Sequence, residues 1–529
     1  MSEHATPRFA RKMNLHDWLS YLESLHPKTI ALGLERVAQV KQRLNLQPDF
    51  PIITVGGTNG KGSVCAMLES MLHAAGYRVG CYTSPHLLHY NERVRIGKRQ
   101  ASDAELCASF EKIERARKGQ GANDEIPIPT PTLPLKGRGQ PSAPVDIPLT
   151  YFEFGTLAAM QCFIEHKVDV AILEVGLGGR LDAVNAFDND CAVVTNVDID
   201  HTDYLGETRE QIAFEKAGIF RSGKVAICAD ADVPQAIIDH AEKVGAQLWR
   251  IGREFGFQLP SPAGGRGSEV TNDLAVVVGQ PSQMASSSIR EGSGDVSRTI
   301  VISHSPSLAL PRRERELEAP LPPGEGRGKG SMQWNYRSTI GARNSLPYPA
   351  LRGAFQLNNA CAVLAALDAL KERLPVSMEA VRRGLVEVRL AGRFQVIPGK
   401  PALILDVAHN PHAARSLAQN LASLPPCPHT WAVFAMLGDK DMAGVAAALD
   451  PHIDTWLVAG IAAPRGASAD ELAQVLRQRG VRGEIQAFHN VGEALRYACN
   501  AAGENDRIAA FGSFYTVAEV MAGKNLGVH

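Results

Sequence analysis

The segment Gly57-Thr58-Asn59-Gly60-Lys61-Gly62-Ser63 combines glycines, a lysine and hydroxyls in a way that could handle phosphate. Glycines let backbone N–H groups close around phosphate oxygens, a lysine neutralises the β and γ phosphates, and a serine hydroxyl can reach Mg²⁺. The segment departs from the G-x-x-x-x-G-K-[ST] pattern, because its first gap is shorter and Gly62 separates Lys61 from Ser63. Its surroundings still suit ATP binding. Pro51 to Val55 (PIITV) reads as a short buried strand, and a helix is expected from Ser63, with Val64, Met67, Leu68, Met71, Leu72 and Ala75 on one face and Gly76 as its end.

Further candidates stand where strands are expected to end. Glu174 follows the apolar run Val168 to Leu173 (VDVAIL) and precedes Gly176, Gly178 and Gly179, which puts it at the carboxyl edge of a strand, where open α/β sheets bind ligands. His201 follows the run Ala192 to Val197 (AVVTNV), within Asp198-Ile199-Asp200-His201. Mg²⁺ prefers oxygen ligands and keeps several waters, so Glu174 suits it, whereas His201 taken alone reads as a structural histidine. Lys216, beside Glu215, taken alone reads as part of a solvated helix face. Late in the chain, Asp406 follows ALIL, with His409 and Asn410 within one turn, and Arg393 lies near an expected domain junction, where an arginine could close on phosphate.

The elements that must position these residues follow from length and periodicity. At 529 residues, 45% hydrophobic and 21% charged, the chain is too long for one ordinary domain. Apolar runs alternating with helical patterns predict an α/β fold with a parallel sheet. We expect an N-terminal P-loop-type, mostly parallel sheet domain over 1–389 and a smaller C-terminal Rossmann-like α/β domain over 390–529. The second carries the runs Ala402 to Leu405, Trp431 to Phe434, Trp456 to Val458 and Ile508 to Phe511, with a helical pattern over Asp470 to Arg477.

Two stretches, 118–147 and 259–332, are rich in Pro, Gly, Ser and Arg and are expected to be flexible surface insertions. They share a degenerate unit, LPLKGRGQ at Leu133, LPSPAGGRGSE at Leu259 and PLPPGEGRGKG at Pro320, whose irregular spacing does not build a solenoid. Long surface loops cost little closure entropy, so mobile-repeat insertions would be tolerated there.

Lys plus Arg total 55 against 56 Asp plus Glu, so no global field recruits nucleic acid or an anionic membrane. Nine scattered cysteines without a C-x-x-C pair read as reduced thiols. The opening residues lack the apolar core of a secretory signal, and nowhere do about 18 uncharged apolar residues run together. A soluble, cytoplasmic protein is expected.

The strings LHPKTIALGLERV, GTNGKGS, TSPHLLHYNERVRI, LTYFEFGTL, ILEVGLGGRLDAVN, DIDHTDYLG, EKAGIF, FQLNNA, AGRFQV, LDVAHNPHAA, MLGDKD and FGSFYTV occur in this order over nearly the whole chain outside the two stretches. In them the sequence resembles the folylpolyglutamate synthase and dihydrofolate synthase family, a branch of the Mur ligase superfamily, most closely its bacterial bifunctional members. The resemblance implies that Gly57 to Ser63 bind ATP, with Lys61 at the phosphates, and that Ser63, Ser84, Glu174 and His201 serve two Mg²⁺ ions. It implies that Lys216 reacts with CO₂ to form a carbamate, and that Asn359, Arg393, Asp406 and His409 contact ATP from the far side, Asp406 near the ribose. Lys61, Lys216, Arg393 and His409 form the implied catalytic set, and Ser84, Pro85, His86, Thr150 and Phe152 the implied contacts to the pterin substrate.

The implied reaction joins L-glutamate to dihydropteroate and to reduced folates through an acyl phosphate, in a monomer without nucleic-acid or membrane partners. One rival is a Mur ligase acting on a UDP-muramyl substrate, which TSPHL and NERVRI disfavour. Another is a regulatory or motor protein that hydrolyses ATP without ligation, distinguished by whether phosphate release requires both glutamate and a pteroyl acceptor.

Overall fold

The computed structural model describes residues 13–26, 30–119, 146–259, 333–353 and 355–527. Its largest sheet has eight strands: β1 (Ile52–Gly56), β2 (Val79–Tyr82), β3 (Val94–Ile96), β4 (Arg99–Gln100), β5 (Val170–Glu174), β6 (Cys191–Val194), β7 (Val225–Cys228) and β8 (Gln247–Arg250). Their order is β4-β3-β2-β5-β1-β6-β7-β8, and all pairings are parallel except those of β3. The central strand is apolar on both faces: Ile52 packs into one core and Ile53 and Val55 into the other. Such two-sided burial is what helices on both faces of a parallel sheet require.

One face is covered by the helices Leu15–Ser24, Asp103–Arg117 and Tyr151–Glu165, and the other by Lys61–Ala74, Gln356–Ala369 and Met378–Glu387. The helix expected from Ser63 begins two residues earlier, at Lys61. Gly60, at φ +85°, turns the chain so that its carbonyl already accepts the first helical bond from Val64 N at 3.0 Å. Similarly β6 ends at Val194, three residues before the predicted Val197, because Thr195 and Asn196 turn out of the sheet to bond the glycine loop.

A small antiparallel sheet, which the sequence patterns did not announce, comprises β9 (Phe255–Gln258), β10 (Gln333–Ser338) and β11 (Gly341–Pro347). The expected insertions fall outside the described residues except at their ends. There Ile147 is buried and its N–H donates to the carbonyl of Arg117 at 3.1 Å, Lys118 pairs with Glu114, and Gln258 stands opposite Asn335 in the β9–β10 register.

The C-terminal α/β domain has six strands, β12 (Gln395–Ile397), β13 (Ala402–Leu405), β14 (Thr430–Phe434), β15 (Thr455–Ala459), β16 (Glu484–Phe488) and β17 (Arg507–Phe511), in the order β12-β13-β17-β14-β15-β16. All are parallel but β12. Among the described residues no helix is long and apolar enough to cross a membrane.

Candidate active site

The carboxyl ends of β1, β5 and β6 lie side by side, with Val55 opposite Glu174 and Gly56 opposite Val194. The glycine loop leaves β1 at this edge and is tied to the segment after β6. Thr58 N donates to Asn196 O at 2.9 Å, Asn59 N to Asn196 Oδ1 at 2.8 Å, and Thr195 Oγ1 to Asn59 O at 2.5 Å. Gly57 has φ +140°, and a Cβ there would collide with the side chain of Thr195, so only glycine permits this approach. Because the helix starts at Lys61, the N–H groups of Lys61, Gly62 and Ser63 lie in its first turn, where they have no helical acceptor. This is an anion-binding arrangement.

Lys61 Nζ is folded back onto the carbonyls of Gly57 (3.0 Å) and Thr58 (3.1 Å). Burial lowers its pKa, against the attraction of Glu174 and Asp200. Ser63 is buried and accepts from Gln356 Nε2 at 3.3 Å, while Gln356 Oε1 accepts from Asn359 Nδ2 at 2.9 Å. Asn359 in turn covers Gly60.

Glu174 is 4% exposed, and burial raises its pKa. Its Oε2 accepts from Ser84 N at 3.1 Å, and its Oε1 has no hydrogen-bond partner among the described residues. A buried carboxylate oxygen left open toward a phosphate loop fits a hard cation, and the hydroxyls of Ser63 and Ser84 supply further oxygen ligands of the right type. Among the described residues no three His, Cys, Asp or Glu side chains cluster as a ready-made metal cage.

His201 has φ +53°, and burial pushes its pKa down to about 4, so it is neutral and able to donate a lone pair at neutral pH. Lys216 is 4% exposed rather than on a solvated face as its neighbours suggested. The helix Arg209–Ala217 packs its Ile212, Ala213, Lys216 and Ala217 side inward, and Glu215 takes the outer position, paired with Arg180 at 2.8 Å. Burial, with the nearby charge of Lys61, pushes the Lys216 amine down to about 7, and it has no hydrogen-bond partner among the described residues.

The second domain reaches this edge through four points. Arg393 lies over the Phe514 ring at 5.0 Å, with burial lowering its pKa. Asp406 accepts from Phe394 N and Ala408 N, both at 2.8 Å, and burial raises its pKa to about 6. His409 donates from Nδ1 to the Val407 carbonyl at 2.9 Å. The fourth is a network that composition did not reveal. Asp200 Oδ1 accepts from Lys440 Nζ at 2.6 Å and Oδ2 from Asn410 Nδ2 at 3.1 Å, while Asn410 and Asn59 exchange amide hydrogen bonds at 3.1 and 3.3 Å.

All these groups line one cleft of about 610 Å³: Gly57 to Ser63, Ser84, Pro85, His86, Glu174, His201, Lys216, Asn359, Arg393, Asp406 and His409, with Arg93, Asp200 and Lys440. Thr150 and Phe152 do not line it. Thr150 is buried as the N-cap of the helix Tyr151–Glu165, its hydroxyl accepting from Glu153 N, and Phe152 packs against Tyr82 and beneath Gly176. Sequence reasoning missed Asn196, Gln356, Asp200 and Lys440 as individual residues. They sit inside matched strings or beside expected strand ends, but nothing in their spacing marks them.

A glycine loop at the edge of a parallel sheet, faced across a cleft by an arginine and an aspartate from a second α/β domain, defines an ATP-dependent ligase of the Mur type. Family models agree, with the Mur ligase middle domain matching residues 148–259 and the Mur ligase, glutamate ligase domain, matching 392–514. The dihydrofolate synthase/folylpolyglutamate synthase of Escherichia coli is 39% identical over 508 residues, 96% of this chain and 94% of that protein. Its Haemophilus influenzae counterpart is 35% identical over 96% and 97%. The structure of E. coli FolC in complex with DHPP and ADP superposes with a TM-score of 0.74 at 38% identity, covering 97% of this chain and 98% of that one. A bifunctional folylpolyglutamate synthase/dihydrofolate synthase with Mn, AMPPNP and L-glutamate bound gives 0.73 at 40% identity, over 97% and 98%. The chain belongs to the dihydrofolate synthase/folylpolyglutamate synthase family.

Proposed function

We propose that this ligase adds L-glutamate to dihydropteroate and to reduced folates, in folate biosynthesis and one-carbon metabolism, acting as a cytoplasmic monomer. The observation that carries the reading is the cleft itself, which gathers the phosphate-type loop of one domain and Arg393, Asp406 and His409 of the other around one volume. The relatives with ADP, AMPPNP, DHPP or glutamate bound support it, and none of those named above carries a UDP-muramyl name.

A carboxylate resists amine attack because it is anionic and oxide is a poor leaving group. In the proposed sequence a carboxylate oxygen of the acyl substrate attacks the γ-phosphorus of ATP and ADP departs, leaving an acyl phosphate. The amine of glutamate then attacks the acyl carbon through a tetrahedral intermediate, loses a proton, and inorganic phosphate leaves. Little covalent work falls to side chains, so positioning and charge neutralisation dominate. Within the loop Gly57 to Ser63 the free backbone N–H groups of Lys61, Gly62 and Ser63 cradle the phosphates, Lys61 Nζ swings from its carbonyls to the β and γ oxygens, and Arg393 approaches from the opposite wall. Asn359, Asp406 and His409 hold the nucleotide, with Asp406 near the ribose, and Ser84, Pro85 and His86 border the acyl substrate. Ser63, Ser84, Glu174 and His201 would hold two Mg²⁺ ions, which when bound spread the negative charge that builds on the transferred group.

Lys216 is proposed to carry a carbamate, formed when its neutral amine attacks CO₂ and releases a proton. Burial favours that neutral amine. ATP-dependent incorporation of labelled glutamate into dihydropteroate and into reduced folates, run side by side with a UDP-muramyl acceptor, tests the function. Incorporation into the pteroyl acceptors is expected. Sustained release of inorganic phosphate that needs neither glutamate nor a pteroyl acceptor, or preference for the muramyl acceptor, would refute it.

A further inference from the structure

The loop Thr83–His89 carries Ser84, Pro85 and His86 to the cleft, and three residues spaced along the segment Glu92–Arg95 hold it. The Glu92 carboxylate is buried and accepts three backbone N–H groups, from Leu87 at 2.8 Å, Leu88 at 2.7 Å and His89 at 2.6 Å. Arg95 Nη1 donates to Thr83 Oγ1 at 3.1 Å and to the Glu92 carbonyl at 2.9 Å, and its other nitrogens are paired with Glu69. Between them, Arg93 Nε donates to His86 Nδ1 at 2.8 Å.

An arginine Nε–H can only donate, so Nδ1 of His86 must carry the lone pair. The imidazole is then neutral with its proton on Nε2. Nε2 makes no hydrogen bond among the described residues, and His86 and Arg93 both line the cleft. The guanidinium lies over the rings of Tyr90 and Tyr151, 5.5 Å from each, and among the described residues no carboxylate pairs with it. The side chains of His86 and Arg93 therefore offer donors and no acceptor to the cleft. The glycine loop and the second domain already supply the donors that a nucleotide needs.

We propose that Arg93 is a positioning residue that locks His86 in the Nε2–H tautomer, so that His86 donates to an acceptor oxygen, a carboxylate or a ring carbonyl, of the acyl substrate. This deepens the proposed function and rests on it. The same contact accounts for an arginine two residues from Arg95 that no carboxylate neutralises.

The full chain with ¹⁵N-labelled histidine tests it. In the wild type the His86 ring, assigned by its loss in His86→Gln, is expected to show an unprotonated Nδ1 and a protonated Nε2. Arg93→Met is expected to convert that signal to a mixture of tautomers. In kinetics, Gln places an amide N–H near Nε2 and Asn places one near Nδ1. His86→Gln should hold the KM for the acyl substrate within about threefold, while His86→Asn raises it about tenfold and leaves the KM for ATP alone. A wild-type Nδ1–H signal, equal KM values for the Gln and Asn variants, or a rise in the ATP KM instead would each overturn the proposal. Absence of glutamate ligation in the wild type would refute the proposed function while leaving the tautomer result standing.

Discussion

Replacing Asp200 by Asn separates the chemistry of the cleft from the contact that closes it. Asp200 follows β6 in the first domain, and its carboxylate meets Lys440 Nζ at 2.6 Å and Asn410 Nδ2 at 3.1 Å from the second. His201, Lys440 and His409 lie against it and, in that order, hold its pKa well below the carboxylate range although burial pushes the other way. Lys440 and Asp200 side chains are only 8% and 10% exposed, so solvent screens the pair little. A hydrogen bond to a charged group contributes roughly 1.5–3 kcal/mol, and stranding a buried charge costs up to about 5 kcal/mol. Asn keeps an acceptor oxygen, which places the variant near the low end, about 2 kcal/mol. Because the pair joins two domains, the loss should fall on domain closure rather than on the folding of either, and about 2 kcal/mol is roughly a 30-fold change in the closed population. The assay is kcat/KM for ATP-dependent glutamate addition in a double-mutant cycle of Asp200→Asn and Lys440→Met, with calorimetry alongside. A coupling energy below about 0.5 kcal/mol would show that the pair does not act as a latch.

Three other variants probe the site. Lys61→Ala should lower turnover about 10³-fold while leaving thermal stability nearly unchanged, since the ammonium bonds only two loop carbonyls; near-normal glutamate addition would refute its role. The Lys216 amine is held near 7 in the folded protein and about 10.5 when unfolded, so the unfolded chain binds the extra proton between those values. Stability from this group therefore rises with pH from about 7 to 10.5 and is lowest below 7. In CO₂-free buffer, where the amine is unmodified, Lys216→Met should remove that slope and raise the melting temperature at pH 7; with ¹³C-bicarbonate present it should abolish activity, and a ¹³C carbamate NMR signal seen in the wild type should vanish. A persistent signal would assign the carbamate elsewhere. Gly57→Ala should cost about 1–3 kcal/mol in denaturant and abolish ATP binding, because φ +140° and the Thr195 side chain both exclude a Cβ; unchanged affinity would mean that the loop can re-form without this turn.

Much of the site was legible because phosphate and metal chemistry restrict residue types. Glu174 at the end of β5 and Asp406 just after β13 follow from strand patterns alone. Lys216 misled because a lysine beside a glutamate carries no signal of which of the two faces inward, and Arg180 decides that from 35 residues away. Asp200 and Lys440 were hidden for a similar reason, being 240 positions apart in the chain. The β9–β11 sheet escaped notice because β9 and β10 are neighbours in space but stand on either side of residues 260–332, so no hairpin spacing exists to read. Thr150 lies in a matching string, yet its hydroxyl is engaged in starting a helix and it does not line the cleft, a placement that its spacing does not announce.

The bonded pair Arg117 and Ile147, and the facing pair Gln258 and Asn335, mark two places where the chain departs and returns through a single doorway. A gene can lengthen at such a doorway without rearranging anything behind it, since closure entropy grows only with the logarithm of loop length. For protein engineering these are natural splice points. A fluorescent reporter or an affinity tag whose own ends lie close together could be grafted at either doorway, leaving the sheet edges that line the cleft in register.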